Sequence, residues 1–125
     1  MAEEGKKKVL IIEDDPFLLK IYQEKFTGEG FDVVTAEDGV EGLRLAKEGN
    51  LNIVILDILI PKLSGVDLLL KLREDDKGKT LPVIALTNLT QPEEQQKVMT
   101  LGVKEYLVKS DYTPNQVVEK IRKYI

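Results

Sequence analysis

A short, unbroken apolar run that ends in a single aspartate constrains the fold of this chain more than any other feature. Residues 53–56 read Ile-Val-Ile-Leu, and Asp57 follows them directly. Because these apolar residues do not alternate with polar ones, the run is typical of a strand buried on both faces in a parallel sheet. Open α/β sheets place their ligand sites at the carboxyl edge. We therefore expect Asp57 to be the functional centre of the molecule.

The composition indicates one globular domain over residues 1–125. Apolar residues make up 42% of the chain and charged residues 32%, and the net charge of −4 argues against direct nucleic-acid binding. There is no cysteine and no histidine, which excludes disulfides, thiol chemistry and His-based metal sites. Because there is no long apolar run and no signal-peptide pattern, we expect no membrane span and a cytoplasmic location. Residues 1–7 are expected to form a flexible tail.

Apolar runs and helical patterns alternate along the whole chain. We predict strands at 8–12, 31–34, 52–57, 82–86 and 105–108, and helices beginning near residues 16, 39, 66, 92 and 114. Asp15 lies next to the first helix start and is expected to belong to that start rather than to the functional site. This order predicts an α/β fold, a flavodoxin-like, doubly wound five-stranded parallel sheet, (βα)5, with strand order 2-1-3-4-5.

The first predicted helix carries more apolar residues than one face needs. Leu18, Ile21 and Phe26 define the stripe expected to face the core, and Phe17 and Leu19 lie off that stripe. Large exposed apolar groups beside a functional site are typical of a docking patch. Phe17 and Leu19 therefore form our predicted partner-docking surface; packing at the edge of the core is the alternative.

Polar side chains follow four of the five predicted strands. Because parallel strands end at one edge of the sheet, we expect these side chains to share a pocket; they are Glu13 and Asp14, Asp57, Thr87 and Lys109. Clustered carboxylates without histidine or cysteine suit Mg²⁺ or Mn²⁺, and without a cation they would raise one another's pKa. The lysine and the threonine could clamp a phosphoryl group, and a remaining carboxylate could accept it as an aspartyl-phosphate.

Four segments at these strand ends resemble the receiver domain of two-component response regulators. They are residues 9–16, Val-Leu-Ile-Ile-Glu-Asp-Asp-Pro; residues 56–65, with Pro61 and Gly65 after Asp57; residues 85–87, Ala-Leu-Thr; and residues 106–109, Tyr-Leu-Val-Lys. The resemblance covers essentially the whole chain. All four segments in this order are far more specific than any one of them.

The resemblance implies a role for each acidic residue. Asp57 would accept a phosphoryl group from a phosphohistidine of a sensor histidine kinase or phosphotransfer protein. Glu13 and Asp14 would hold Mg²⁺ (or Mn²⁺) together with Asp57 and the backbone carbonyl of Leu59.

The resemblance also implies how the signal leaves the site. Lys109 would neutralise a phosphoryl oxygen, and Thr87 would hydrogen-bond the phosphoryl group. Tyr106 would then rotate inward behind Thr87 and reshape the surface made by helix four, strand five and helix five. Ser110 stands where the family usually has proline, so we expect a trans Lys109–Ser110 bond.

The predicted architecture is a stand-alone, chemotaxis-type receiver without an output domain; one piece of a larger regulator or hybrid kinase is the alternative. Such a protein is a signalling switch that catalyses only its own phosphorylation and dephosphorylation, and is not an enzyme in the ordinary sense. Its output would pass to a protein target, as a monomer or as a phosphorylation-dependent dimer. Leu59 and Leu89 are expected to flank the pocket and to restrict the attacking water, which predicts slow self-dephosphorylation.

Two other functions remain open at the level of sequence. One is a receiver-like protein-binding module that never becomes phosphorylated, against which the complete set of strand-end residues argues. The other is a phosphatase that passes through an aspartyl-phosphate. Leu59 stands two residues after Asp57, where such an enzyme needs its acid/base partner, so we place it behind the binding module.

Overall fold

Five parallel strands form a single sheet in the order β2-β1-β3-β4-β5, as predicted. In the computed structural model, which describes residues 5–125, the strands are β1 Lys8–Ile12, β2 Asp32–Ala36, β3 Ile53–Leu56, β4 Val83–Thr87 and β5 Glu105–Val108. This confirms the flavodoxin-like, doubly wound α/β fold. Of the expected N-terminal tail, residues 1–4 lie outside the described residues, and residues 5–7 are exposed and precede β1.

A helix follows each strand. The helices are α1 Pro16–Gly28, α2 Gly39–Glu48, α3 Gly65–Glu74, α4 Pro92–Thr100 and α5 Pro114–Arg122, and a single 3₁₀ turn, Lys109–Asp111, lies between β5 and α5. The strand bounds and the helix starts lie within one residue of the prediction, except that β2 runs to Ala36 rather than to residue 34.

The strands separate two apolar layers. Leu10 and Ile12 of β1 face the layer under α2, α3 and α4, which includes Leu68 and Val98. Val9 and Ile11 face the other layer, which contains the inner sides of α1 and α5. Every residue of β3 is buried. Helices therefore cover both faces of the central strands, as the unbroken apolar runs predicted.

Helix α1 faces the core with a different stripe from the one predicted. Leu19, Tyr22 and Phe26 are buried, whereas the side chain of Ile21 is 37% exposed. Leu19 is only 6% exposed, so the expectation that it lies on the surface is wrong; Phe17, at 72%, is exposed as expected. Leu18 and Ile21 each precede a buried residue, Leu19 or Tyr22, by one position, which is about 100° of rotation around the helix, and packing against the sheet decides which residues face the core.

Side-chain caps fix the starts of α1, α2, α3 and α5. The Asp15 carboxylate accepts hydrogen bonds from the backbone N–H groups of Phe17 at 3.0 Å and Leu18 at 3.4 Å, which confirms its place at the start of α1. Asp38 caps α2, and Thr113 forms a capping box on α5.

No cis peptide bond occurs within residues 5–125, so the Lys109–Ser110 bond is trans, as expected. In the same residues no helix combines the length and the apolar character needed to cross a bilayer.

Candidate functional site

Asp57 lies immediately beyond β3, where the strand order brings β1, β4 and β5 to the same edge of the sheet. Its side chain is buried, with a residual exposure of 4% for the residue. One carboxylate oxygen, Oδ1, accepts a hydrogen bond from the backbone N–H of Leu59 at 3.0 Å, and the other, Oδ2, accepts one from Nζ of Lys109 at 2.6 Å. Both oxygens are thus held in fixed directions, one by the loop that follows β3 and the other by the residue that follows β5.

Lys109 forms ion pairs with two buried carboxylates at once. Its ammonium group contacts Asp57 and Glu13, and the other Glu13 oxygen accepts the backbone N–H of Asp15 at 3.0 Å. Burial disfavours the charged form of Lys109, but the hydrogen bonds to Asp57 and Glu13 outweigh it and raise the pKa of the ammonium group. Burial also raises the pKa of Glu13, although the bond to Lys109 opposes that shift. The lysine therefore remains charged at neutral pH.

The acidic residues form a cluster that opens toward solvent. Glu13, Asp14 and Asp57 each present a carboxylate oxygen, and these atoms lie within 4.8 Å of one another. Glu13 and Asp57 are buried, whereas Asp14 is exposed. Three carboxylates against one ammonium leave an excess of negative charge that a cation would offset. The oxygen-only donor set fits Mg²⁺ or Mn²⁺ rather than a softer metal.

Thr87 and Tyr106 meet at the backbone of one residue. Thr87 is fully buried at the end of β4, and its hydroxyl oxygen accepts the backbone N–H of Leu89 at 3.3 Å. The hydroxyl of Tyr106, on β5, donates to the backbone carbonyl of the same Leu89. Burial raises the pKa of Tyr106, so this hydroxyl keeps its proton. The sequence did not indicate Leu89 as the common partner, because it acts through its peptide groups and not through its side chain.

A cavity of about 410 Å³ lies beside the acidic cluster, between the loop that follows β3 and the start of α4. Leu59 and Leu89 both line it, as do Asp67 of α3 and Glu94 of α4. The Leu59 side chain is 53% exposed there. Glu13, Asp14, Asp57 and Lys109 do not line this cavity, so the expectation that Leu59 and Leu89 flank the site of Asp57 stays a prediction.

The structure brings most of the predicted residues together. Glu13, Asp14, Asp57 and Lys109 form one contact group, and Phe17 is exposed in the first turn of α1, which begins just after that group. Thr87 and Tyr106 are linked through Leu89, as described. Leu19 is the exception, since it packs in the core beneath α1.

Comparison with known proteins agrees with this geometry. Residues 9–122 match the response regulator receiver domain family. The chain is 28% identical over 119 residues to the polar-differentiation response regulator DivK of Brucella anthropi, covering 95% of this chain and 96% of that protein. It is 33% identical over 117 residues to the probable transcriptional regulator ycf27 of Porphyridium aerugineum, covering 94% of this chain but 47% of that longer protein.

A solved structure gives the same result. The chemotaxis response regulator CheY4 of Vibrio cholerae superimposes with a TM-score of 0.88 at 26% identity, covering 97% of this chain and 100% of that one. The family match extends over both apolar layers and every strand end that contributes to the acidic cluster. The chain belongs to the response regulator receiver domain family.

Proposed function

We propose that this chain is a phospho-accepting receiver in which Asp57 takes a phosphoryl group from a phosphohistidine of a sensor histidine kinase or phosphotransfer protein. The observation that carries the proposal is the buried Asp57 carboxylate, held by Lys109 at 2.6 Å within an otherwise acidic, oxygen-only cluster. Such a site neutralises charge around a nucleophile, which is the main task of a protein in phosphoryl transfer. The chain acts as a switch and not as an enzyme that turns over a separate substrate.

In the proposed reaction an Asp57 oxygen attacks the phosphorus atom, and the phosphorus–nitrogen bond to the partner's imidazole breaks. The imidazole leaves with the electron pair and takes up a proton. Lys109 stays within reach of the new phosphoryl group and balances its charge. Leu59 offers no acid or base beside the acceptor, so the proposed aspartyl-phosphate persists and a phosphatase cycle is disfavoured.

The acidic cluster is the proposed cation site. The carboxylates of Glu13, Asp14 and Asp57 and the backbone carbonyl of Leu59 would hold Mg²⁺ or Mn²⁺. When bound, this cation would supply positive charge that offsets the negative charge of the carboxylates and of the phosphoryl group. The residues themselves set the donor directions, because Asp15 N–H holds Glu13 and Leu59 N–H holds Asp57.

The output is proposed to leave through the surface of α4, β5 and α5. A phosphoryl group on Asp57 offers new acceptor oxygens to the buried hydroxyl of Thr87, which now accepts from Leu89. If Thr87 turns toward these oxygens, the loop that carries Leu89 loses one of its two bonds, and the loop can then move away from Tyr106, which leaves this residue free to rotate inward. The recognised target is a protein.

Mass spectrometry of the intact protein tests the acceptor. Incubation with Mg²⁺ and a small phosphodonor is expected to add one base-labile phosphoryl group, and Asp57→Asn is expected to add none. Asp15→Asn is the matched control: asparagine caps a helix as well as aspartate does, so labelling should survive the loss of this neighbouring carboxylate. If the wild type remained unlabelled with every donor, the protein-binding module would replace the switch.

We propose that the partner docks at Phe17, which is 72% exposed in the first turn of α1; Leu19 is buried and has no part in this surface. Phe17→Ala is expected to slow phosphotransfer from a purified phosphotransfer protein that phosphorylates the wild type. It should leave labelling by a small phosphodonor unchanged, since that reaction needs no docking. Val40→Ala, which truncates an exposed apolar residue on α2, is the control. Equal phosphotransfer rates for the wild type and Phe17→Ala would exclude this docking surface.

A further inference from the structure

The loop between β3 and α3 carries two groups on which the proposed site depends. The backbone N–H of Leu59 orients the Asp57 carboxylate at 3.0 Å, and the Leu59 carbonyl is the proposed fourth cation ligand. Residues 58–64 contain no regular secondary structure. Something outside the loop must therefore hold its backbone in place.

The first residue of α2 supports this loop from outside. The backbone N–H of Gly39 donates to the carbonyl of Pro61 at 3.1 Å. An ideal Cβ on Gly39 would lie 1.9 Å from the carbonyl oxygen of Leu63 and 2.7 Å from its Cβ. The φ angle of Gly39 is not in the left-handed region, so the backbone conformation itself would accept alanine. Glycine is required at this position because of the close contact with the loop, and not because of its backbone conformation.

An ion pair and a backbone hydrogen bond also hold the same loop in place. Lys62 adopts a left-handed φ of 69° and pairs with Asp38, the cap of α2, at 3.5 Å. On the inner side, the backbone N–H of Gly65 donates to the carbonyl of Ile58 at 3.0 Å. A Cβ on Gly65 would lie 2.5 Å from the Cα of Ile58. The loop is therefore enclosed between two glycines that leave no room for a side chain.

We propose that Gly39 is a positioning residue for the phosphoryl and cation site, an inference that rests on the proposed function and deepens it. Gly39 touches none of the reacting groups. It acts through Pro61 and Leu63, which set where the backbone of Leu59 lies. A methyl group at position 39 has to displace loop backbone rather than the flexible end of a side chain. The Leu59 carbonyl and N–H then move, while every side chain of the acidic cluster remains present.

Three glycine-to-alanine variants separate this role from general destabilisation. Gly39→Ala is expected to raise the Mg²⁺ dissociation constant about tenfold or more, the usual cost of disturbing a group that orients a metal ligand. Gly42→Ala lies on the same helix but would press on Cδ1 of Ile12 at 2.6 Å and not on the loop, and Gly28→Ala meets nothing within 4 Å. Both controls should retain wild-type Mg²⁺ affinity, even where urea unfolding shows lower stability.

Hydrogen exchange of the metal-free protein measures the effect on the loop directly. In the metal-free protein, the amide of Leu59 should exchange with solvent faster in Gly39→Ala than in Gly42→Ala, because its bond to Asp57 is loosened. If Gly39→Ala bound Mg²⁺ like the wild type, or if Gly42→Ala lost as much affinity, the positioning role would be wrong and the proposed function would stand. A wild-type protein without Mg²⁺ affinity would instead contradict the cation site itself.

A second pair of variants applies if Gly39→Ala does not fold. Asp38→Ala and Asp38→Asn remove the same charge, but only asparagine keeps the cap that fixes the first turn of α2. We expect Asp38→Ala to bind Mg²⁺ more weakly than Asp38→Asn. Thr113→Ala removes the cap of α5, far along the chain from the loop, and should leave the affinity unchanged. Equal dissociation constants for the two Asp38 variants would overturn the inference.

Discussion

At Lys109 a single ammonium group compensates two carboxylates that the fold has removed from water. Glu13 and Asp57 are both buried, and each contacts Nζ of this lysine. Removing one partner of a buried pair leaves an uncompensated charge, which costs far more than the pair contributes as a whole. The lysine therefore has a structural role before any phosphoryl group arrives.

Lys109→Met is expected to lower the free energy of unfolding at neutral pH by about 3–5 kcal/mol, the usual cost of breaking a buried pair. Urea unfolding in metal-free buffer measures this. The double variant Glu13→Gln/Lys109→Met should recover much of the loss, because only one buried carboxylate then remains. A double variant as unstable as Lys109→Met alone would show that lost packing, and not charge, is responsible.

Single residues were predictable from the sequence where chemical type and strand position agreed. The strand ends carrying Glu13, Asp57 and Lys109 were found because parallel strands finish at one edge of the sheet. The burial of Leu19 was not predictable, since Leu18 and Leu19 are adjacent on the helix and either one could join a stripe that includes Phe26. Gly39 was interpreted only as a helix start; nothing in the sequence shows that Leu63 approaches it.

Helix α3 is attached to the following part of the chain through Arg73. Its guanidinium group donates to the carbonyls of Gly78 at 2.7 Å and Leu81 at 2.8 Å in the loop before β4. It also donates to those of Leu101 at 2.9 Å and Gly102 at 3.1 Å, at the end of α4. One side chain thus fixes the C-terminal end of α4 to α3, whereas Gln91 at the start of α4 makes no side-chain cap.

Arg73→Ala is expected to cost about 3 kcal/mol of unfolding free energy, because several hydrogen bonds to a charged group are lost together. Amides near residues 78–81 and 101–104 should also exchange faster. Arg44→Ala is the matched control, since Arg44 pairs with Glu41 and Glu48 on the exposed side of α2, and such pairs contribute little. If urea unfolding showed a similar loss of unfolding free energy in Arg73→Ala and Arg44→Ala, this role of Arg73 would be wrong.

The order of the elements was predictable, but some of their ends were not. Short apolar runs alternating with helical patterns admit few topologies once crossovers must be right-handed. The end of β2 was placed too early because Thr35 is polar and β2 is an edge strand. Pairing with β1 extends β2, since Thr35 lies opposite Ile11 and Ala36 opposite Ile12.

The acidic cluster exists only in the folded chain, because its members come from residues 13, 14 and 57. A cation that binds the folded state alone stabilises it by an amount that grows with the logarithm of its concentration above the dissociation constant, and reaches about 2.7 kcal/mol at one hundred times that constant. Mg²⁺ is therefore expected to raise the midpoint of thermal unfolding. The shift should be smaller in Glu13→Gln, measured against NaCl of equal ionic strength. Identical shifts in the variant and the wild type would assign the effect to general screening.

Both backbone polar groups of Leu89 are occupied in this structure, which carries no phosphoryl group: the N–H by Thr87 and the carbonyl by Tyr106. The resting surface is therefore a defined shape with its own bonds, and not merely the absence of a signal. Under the proposed switch, one protein could bind the unphosphorylated chain as selectively as another binds the phosphorylated chain. The unphosphorylated form would then carry a signal of its own.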